Sequence, residues 1–439
     1  MKLPPIAVTC LALACGGPIV NETDVIAIVG ATLIDGTEAQ PIPEAVVLTS
    51  EGKIKSVGAR ADVEIPAGAV TIDASGKTII PGLADLHSHY AIFEPDTELA
   101  KRQLAWQLAF GVTTVRSIGL DAEETMAAIE EVRSGNALGP RIYTAGLGFA
   151  HPGGQPTQFG LGYVRQPETP EQAREGVREL ASQKVDFIKV WIGSRQEGVP
   201  KMRREITEAI VDEARIHGIP VVAHVEARNE FDYLLSLGVT DFLHTLVDQD
   251  PTDPSFIKTV QRDGVSFTPT MSGIESSWIF AEEPSLVESD PALQAVLGTE
   301  LVEKIADPKW REEQLTGNSF GNTKSDLESA QHFTTQMHRA GVMVLPGSDC
   351  PVIPHGWGTH NELRLLVDAG MEPIEAIRAA TAQSAQRLGS TEFGTIVAGA
   401  AADLIILDAD PLKDIKNTLK IARVMQAGRW VDRKSLLGL

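Results

Sequence analysis

Cysteine is almost absent. Three occur in 439 residues. Cys10 and Cys15 fall at the N-terminus, which leaves Cys350 alone in the body of the chain. A disulfide framework is thereby excluded, and stability must come from a core and from bound ligands. Positive charge is also scarce. Lys and Arg number 38 against 59 Asp and Glu, for a formal net charge of −21. Such a surface repels nucleic acid, so no nucleic-acid partner is expected. Past the N-terminus no apolar run is long enough to cross a bilayer, and no internal repeat or low-complexity tract stands out. What remains is 43% hydrophobic and 22% charged. That suffices to bury a large core, and the length suits one large domain with a smaller satellite.

The chain starts Met1-Lys2-Leu3 and runs into a short apolar stretch ending in small residues, the pattern of a secretory signal. Leu13-Ala14-Cys15-Gly16 resembles a bacterial lipoprotein cleavage box. That resemblance implies a lipid anchor at Cys15 and an exported, periplasmic or membrane-anchored protein. Residues 1–24 are read as leader and linker.

Residues 25–78 read as short strands separated by turn signals at Asp35-Gly36, Glu51-Gly52 and Ser75-Gly76. Residues 392–439 repeat that style around Gly394, Gly399 and Gly428, so the two chain ends should build one β domain. Between them, over 79–391, strands alternate with helical patterns. The expected strands are 78–89, 112–117, 141–145, 187–191, 220–224, 241–244, 265–269 and 342–349. Eight βα units predict an α/β fold, a parallel (β/α)8 TIM barrel with its site at the C-terminal ends of the strands. An acidic, Trp-containing insertion at about 271–322 is expected to serve as a lid.

One stretch organises the rest. The apolar run Thr78-Ile79-Ile80 feeds Pro81-Gly82-Leu83-Ala84-Asp85-Leu86-His87-Ser88-His89-Tyr90. Side chains alternate along a strand, so His87 and His89 share a face, and two imidazoles on one strand end can hold a metal ion. Lys189 lies among Phe187, Ile188 and Val190, a costly place for a cation. His224 ends Pro220-Val221-Val222-Ala223-His224. His244 and Asp349 end two further strands.

The Pro-Gly-Leu-x-Asp-x-His-x-His string resembles the first-strand signature of the metal-dependent amidohydrolase superfamily. Phe187-Ile188-Lys189-Val190-Trp191 resembles the carboxylated-lysine strand of its binuclear, prolidase-like and imidazolonepropionase-related branch. The resemblance implies that the terminal β unit is a β-sandwich. It implies a ligand set of His87, His89, Lys189, His224, His244 and Asp349. His87, His89 and Asp349 would hold one divalent ion and His224 and His244 a second, most simply Zn2+. Lys189, as a carbamate formed with carbon dioxide or bicarbonate, would bridge the ions together with a hydroxide. Asp349 would be the catalytic proton carrier.

Other residues have two readings each. His151 could contact the substrate carbonyl or sit on a loop surface. Tyr90 could bind substrate or pack. Arg228 could pair with a substrate carboxylate or with solvent. His355 and His360 follow the last strand and are expected near the mouth. His217, His332 and His338 fall on helical stretches and are expected to be structural or exposed. The implied activity is hydrolysis of an amide bond in a dipeptide or N-acyl amino acid. The alternatives are a one-metal hydrolase of cyclic amides or a deaminase, and a lactone or phosphotriester hydrolase. Substrate, metal and oligomeric state stay open.

Overall fold

The structure, a computed structural model, describes residues 25–194, 196, 198–262, 264–316 and 322–439. The leader, with Cys10, Cys15 and the lipid anchor expected there, lies outside the described residues. In chain order come β1 (Ile26–Leu33), β2 (Ile42–Ser50), β3 (Lys53–Ala59), β4 (Val70–Asp73) and β5 (Thr78–Pro81). Then strands and helices alternate: β6 (Leu83–Ser88), α1 (Thr97–Ala109), β7 (Val112–Ser117), α2 (Glu123–Arg133), β8 (Arg141–Thr144), α3 (Pro170–Ser182) and β9 (Ile188–Trp191). They continue with α4 (Arg204–Ile216), β10 (Val221–His224), α5 (Arg228–Ser236), β11 (Asp241–Leu243), α6 (Pro254–Val260) and β12 (Ser266–Thr268). After β12 come six short helices, α7 (Met271–Glu275), α8 (Ile279–Glu282), α9 (Ser285–Glu288), α10 (Pro291–Leu297), α11 (Thr299–Ala306) and α12 (Pro308–Thr316). The run closes with α13 (Lys324–Arg339), β13 (Met343–Val344) and α14 (Trp357–Asp368), and β14 (Leu404–Leu407), β15 (Ile421–Gln426) and β16 (Arg429–Trp430) follow.

This is a mixed α/β fold in three sheets. The two chain ends meet in one eight-stranded sheet of β1–β5 and β14–β16, because β14 runs antiparallel to β5 with Ile405 opposite Ile80. The β2–β3 hairpin turns on Glu51 (φ 53°) and Gly52 (φ 75°). Two positive φ angles in a two-residue loop match the right-handed twist of the flanking strands. β6–β8 form one parallel sheet and β9–β13 another. Backbone bonds link these two at both edges. Phe149 N–H donates to Lys189 O at 2.8 Å on one side, and Leu86 N–H to Pro346 O at 2.9 Å on the other.

The strand expected over 78–89 is two strands in different sheets. The break is at Gly82, whose N–H donates to Asp403 O while Leu83 N–H donates to Gly111 O. A Cβ at position 82 would lie 2.1 Å from Thr113 Oγ1, so no other residue fits between the sheets. The last expected parallel strand, 342–349, shrinks to Met343–Val344 and its remainder is irregular. The insertion packs Phe280, Leu293 and Ile305 against Phe110 and Trp357; 317–321 lie outside the described residues.

The helices are held by an apolar layer. Phe231 of α5 stacks against Phe242 of β11 at 4.7 Å and Phe267 of β12 at 5.8 Å, and Phe333 of α13 meets Phe267 edge-on at 5.1 Å. Each such pair contributes about 0.5–1.5 kcal/mol beyond its buried area. The cluster fixes the strands whose ends carry His244 and Thr270.

Candidate metal centre

His87 lies in β6 and His224 is the last residue of β10, whereas His89 and His244 sit just past β6 and β11. Lys189 is the second residue of β9, and Asp349 follows β13 by five residues. His244, Thr270 and Asp349 adopt left-handed φ values of 69°, 55° and 59°. For non-glycine residues this costs about 1–3 kcal/mol each and persists only where neighbours over-determine it. Here they do. Asp349 N–H donates to His87 O at 2.8 Å, and His244 N–H to Thr268 O at 2.8 Å. His244 Nδ1 lies 2.7 Å from Thr270 Oγ1.

The side chains converge. Asp349 Oδ1 is 3.2 Å from His87 Nε2 and 3.4 Å from His89 Nε2. One ligand atom from each of His87, His89 and Asp349 falls within 4.8 Å of the others. The ring of His87 is 4.9 Å from that of His244, which is 4.3 Å from that of His224. Lys189 is fully buried, with its Nζ 4.7 Å from the centre of the Trp191 ring. Its stem fits because positions 119 and 148 are glycine; a Cβ there would come within 2.7 Å and 3.0 Å of Lys189 Cγ.

Burial drives the His87 imidazole down to about 3, against the pull of Asp349. Burial, reinforced by the rings of His224 and His87, holds His244 well below the ordinary range. Burial also takes the Lys189 amine well below its usual value, and the Arg116 charge adds to this. The two histidines are therefore neutral near pH 7 and keep lone pairs, and at Lys189 burial favours the uncharged amine. Burial alone would raise Asp349, but the surrounding imidazoles outweigh it and keep the carboxylate ionised. Both ring nitrogens of His224 and the Nζ of Lys189 are buried without a hydrogen-bond partner. Orphaned polar atoms of this kind are costly unless a ligand meets them. Imidazoles and a carboxylate facing one another beside a buried amine fit a divalent cation.

Two carboxylates outside the expected ligand set brace the group: Asp85, which belongs to the first-strand string, and Glu362, which no pattern pointed to. Asp85 Oδ1 accepts from the N–H groups of His87 (3.1 Å) and Ser348 (3.0 Å), and its Oδ2 from the hydroxyls of Ser348 (2.6 Å) and Thr359 (2.9 Å). Glu362 of α14 accepts from the N–H groups of Met271 (3.1 Å) and Ser272 (2.7 Å), just after Thr270. Burial pushes Glu362 up to about 8 despite those donors. Glu226 was also missed. Its Oε2 lies 3.7 Å from His224 Nε2, and its position two residues past a strand-end histidine was the signal. Glu362 had none, since the helix carrying it is remote in sequence.

Other expectations are corrected. Tyr90 is fully buried, with its hydroxyl 2.9 Å from Ser88 Oγ and its ring stacked on His355 at 5.3 Å, so it packs rather than facing a ligand. His355 and His360 are not at the mouth. Each is pinned inside, His355 by His89 O (2.9 Å) and His360 by Phe110 O (2.8 Å) and Thr418 Oγ1 (2.9 Å). Arg228 is occupied by Asp232 (2.8 Å) and Gln249 (2.7 Å) and lies over the Phe256 ring. His151 is half-buried with Nδ1 2.6 Å from Pro152 O, and it does not line the cleft, although Gln155 beyond it does. His217, His332 and His338 lie at or on helices.

The centre opens into a cleft of about 600 Å³ lined by His224, Glu226, His244, Thr270, Ile274 and Asp349 among others. The amidohydrolase family model matches residues 78–431. The chain is 26% identical to ochratoxinase of Aspergillus niger over 444 residues, covering 90% of this chain and 84% of that one. It is 24% identical to imidazolonepropionase of Haloarcula marismortui over 404 residues, covering 87% and 88%. A structure from Bifidobacterium longum, assigned as a prolidase, superposes with a TM-score of 0.72 at 27% identity, covering 95% of this chain and 99% of that one.

Proposed function

Since the chain belongs to the amidohydrolase family, we propose that it hydrolyses the C–N bond of a dipeptide or N-acyl amino acid at a metal centre held by His87, His89, Lys189, His224, His244 and Asp349. The observation that carries this is the convergence of the imidazoles and Asp349 beside a buried Lys189 whose Nζ has no hydrogen-bond partner. In this reading β6–β13 close as one (β/α)8 barrel, joined at both edges by the Phe149–Lys189 and Leu86–Pro346 bonds. The terminal sheet is the separate sandwich domain, and residues 1–24 are an export leader.

Divalent ions, when bound, supply an activated water and polarise the scissile carbonyl. The residues do the rest. Neutral His87 and His244 offer lone pairs at neutral pH. Burial favours the uncharged form of Lys189, and as that amine its nitrogen adds to carbon dioxide and loses a proton, leaving an anionic carbamate with two oxygens. Asp349, ionised and partly open to the cleft, takes a proton from the attacking water and passes it to the leaving nitrogen. Thr270 and Asp85 hold His244 and His87 in place, as outer partners of metal ligands do.

A second reading is favoured by one fact. Among the described residues, His87, His89 and Asp349 are the His, Cys, Asp or Glu side chains whose ligand atoms gather within 4.8 Å, a set that can hold a single ion. One-metal hydrolysis of a cyclic amide, as the name imidazolonepropionase suggests for that relative, would then apply and Lys189 would stay unmodified. The test is metal analysis together with a panel of dipeptides, N-acyl amino acids, cyclic amides, lactones and phosphotriesters. Two metals per chain with turnover of linear amides supports the first reading. One metal with turnover confined to cyclic amides replaces it with the second.

A further inference from the structure

A second cavity, of about 280 Å³, lies beside the metal cleft. Two chain segments run through both. Gly273 and Ile274 of α7 line the cleft, and the residues that follow, Ser276, Ser277 and Trp278, line the second cavity. Past β13, Asp349 lines the cleft, Pro351, Pro354 and His355 line the cavity, and Val352 lines both. The two spaces therefore share Val352 in their lining, three residues past Asp349.

The second cavity carries more aromatic side chains than the cleft. Trp106 of α1, Trp278, Phe280 of α8 and Trp310 of α12 supply aromatic faces, and Val296 and Leu301 supply aliphatic ones. His355 adds little polarity, since its Nε2 is engaged with His89 O at 2.9 Å. Gln103, Ser276, Ser277 and Gln314 supply the polar part of the lining. Pockets that take whole small molecules run from roughly 300 to 1,000 Å³, so this one suits a single ring system or branched chain.

We propose that this cavity is a specificity subsite for an apolar, preferably aromatic, substituent next to the scissile amide. The proposal rests on the amide-hydrolase reading above and deepens it. It selects, within that class, N-acyl amino acids whose acyl group carries a ring over those with a small acyl group. An apolar pocket separates substrates differing by one methylene by about 10–200-fold. An aromatic acyl group should therefore gain at least about tenfold in kcat/KM over acetyl on the same amino acid.

The experiment compares N-phenylacetyl and N-acetyl derivatives of one amino acid with the wild-type holoenzyme and with Ala281→Leu, which places a larger side chain in the cavity wall. Val296→Phe, from another helix, serves as the second filling variant. The expected result is an aromatic preference that either variant cuts by about tenfold or more, with the acetyl substrate unaffected. Equal rates for both substrates in the wild type, or equal losses for both in the variants, overturn the subsite. If no amide is cleaved at all, the amide-hydrolase reading fails instead. The subsite is then judged by titrating N-phenylacetyl amino acid and following tryptophan fluorescence. Saturable binding lost in Ala281→Leu upholds it; no binding removes it.

Discussion

Asp85 offers the sharpest test of how the centre is held. Its Oδ1 takes two backbone N–H groups, those of His87 and Ser348, and its Oδ2 takes two hydroxyls, those of Ser348 and Thr359. The two halves respond differently to substitution. Hydroxyls rotate and can accept as well as donate; backbone N–H groups cannot. In Asp85→Asn the amide oxygen can stay at the Oδ1 position and the amide NH2 can donate to the turned hydroxyls. The loss should then be about 1 kcal/mol or less. Asp85→Ala instead strands two buried backbone donors at about 1–3 kcal/mol each, or about 2–6 kcal/mol in all. It also removes the side-chain tie between the His87 and Ser348 backbones, leaving the Asp349 N–H to His87 O bond as the link there, which should weaken metal binding about 10–100-fold, the usual scale for an outer partner of a ligand. Calorimetric unfolding and metal content after dialysis against limiting metal measure both effects. Equal losses in Asn and Ala would refute the two-donor argument. An Ala variant with wild-type stability and metal content would refute the bracing role altogether.

Lys189→Ala should lose metal and activity together, with partial rescue by a short carboxylic acid, and reconstitution of the wild-type apoprotein should depend on bicarbonate; a variant keeping its full metal content and turnover would dismiss the carbamate. Asp349→Asn should lower turnover by on the order of a hundredfold or more, read as kcat on any substrate the wild type cleaves, and near-normal kcat would remove it from proton transfer. Asp241 is buried, which alone would raise it, but Arg116 at 2.7 Å and Arg387 at 2.9 Å bring its carboxyl down to about 2 from 3.8. A depressed carboxyl stabilises the fold above the unfolded value and loses that contribution as pH falls through the folded one. Stability should therefore drop by about 2 kcal/mol between roughly pH 4 and pH 2 through this group. Asp241→Asn, which leaves Arg116 buried without its counter-charge, should cost about 3–5 kcal/mol at neutral pH, and a shallow acid profile in the wild type would contradict the argument.

Much of this was legible locally. The alternation of strands and helices, the pairing of β segments at the two chain ends and the strand-end positions of His87, His89, His224 and His244 follow from short patterns, because period and turn chemistry act over a few residues; Asp349 was expected at a strand end but lies five residues past the short strand Met343–Val344. Lys189 stood out for the same reason, as a charge in an apolar run. Where local pattern met long-range packing it misled. The apolar run into His87 looked like one strand, and only the approach of Thr113 to Gly82 splits it between two sheets. Tyr90, His355 and His360 sit in sequence beside the ligands, yet each is turned inward to a partner that the local sequence does not reveal. The left-handed backbone at His244, Thr270 and Asp349 carries no glycine signature, since bonds from other segments impose it. The sequence by itself determined which donor atoms exist and at which strand ends they lie. The tertiary structure decided which of them face one another, which carboxylates brace them and that an aromatic cavity adjoins them. Burial, charge neutralisation and hydrogen-bond closure depend on groups hundreds of residues apart, and no window along the chain contains them.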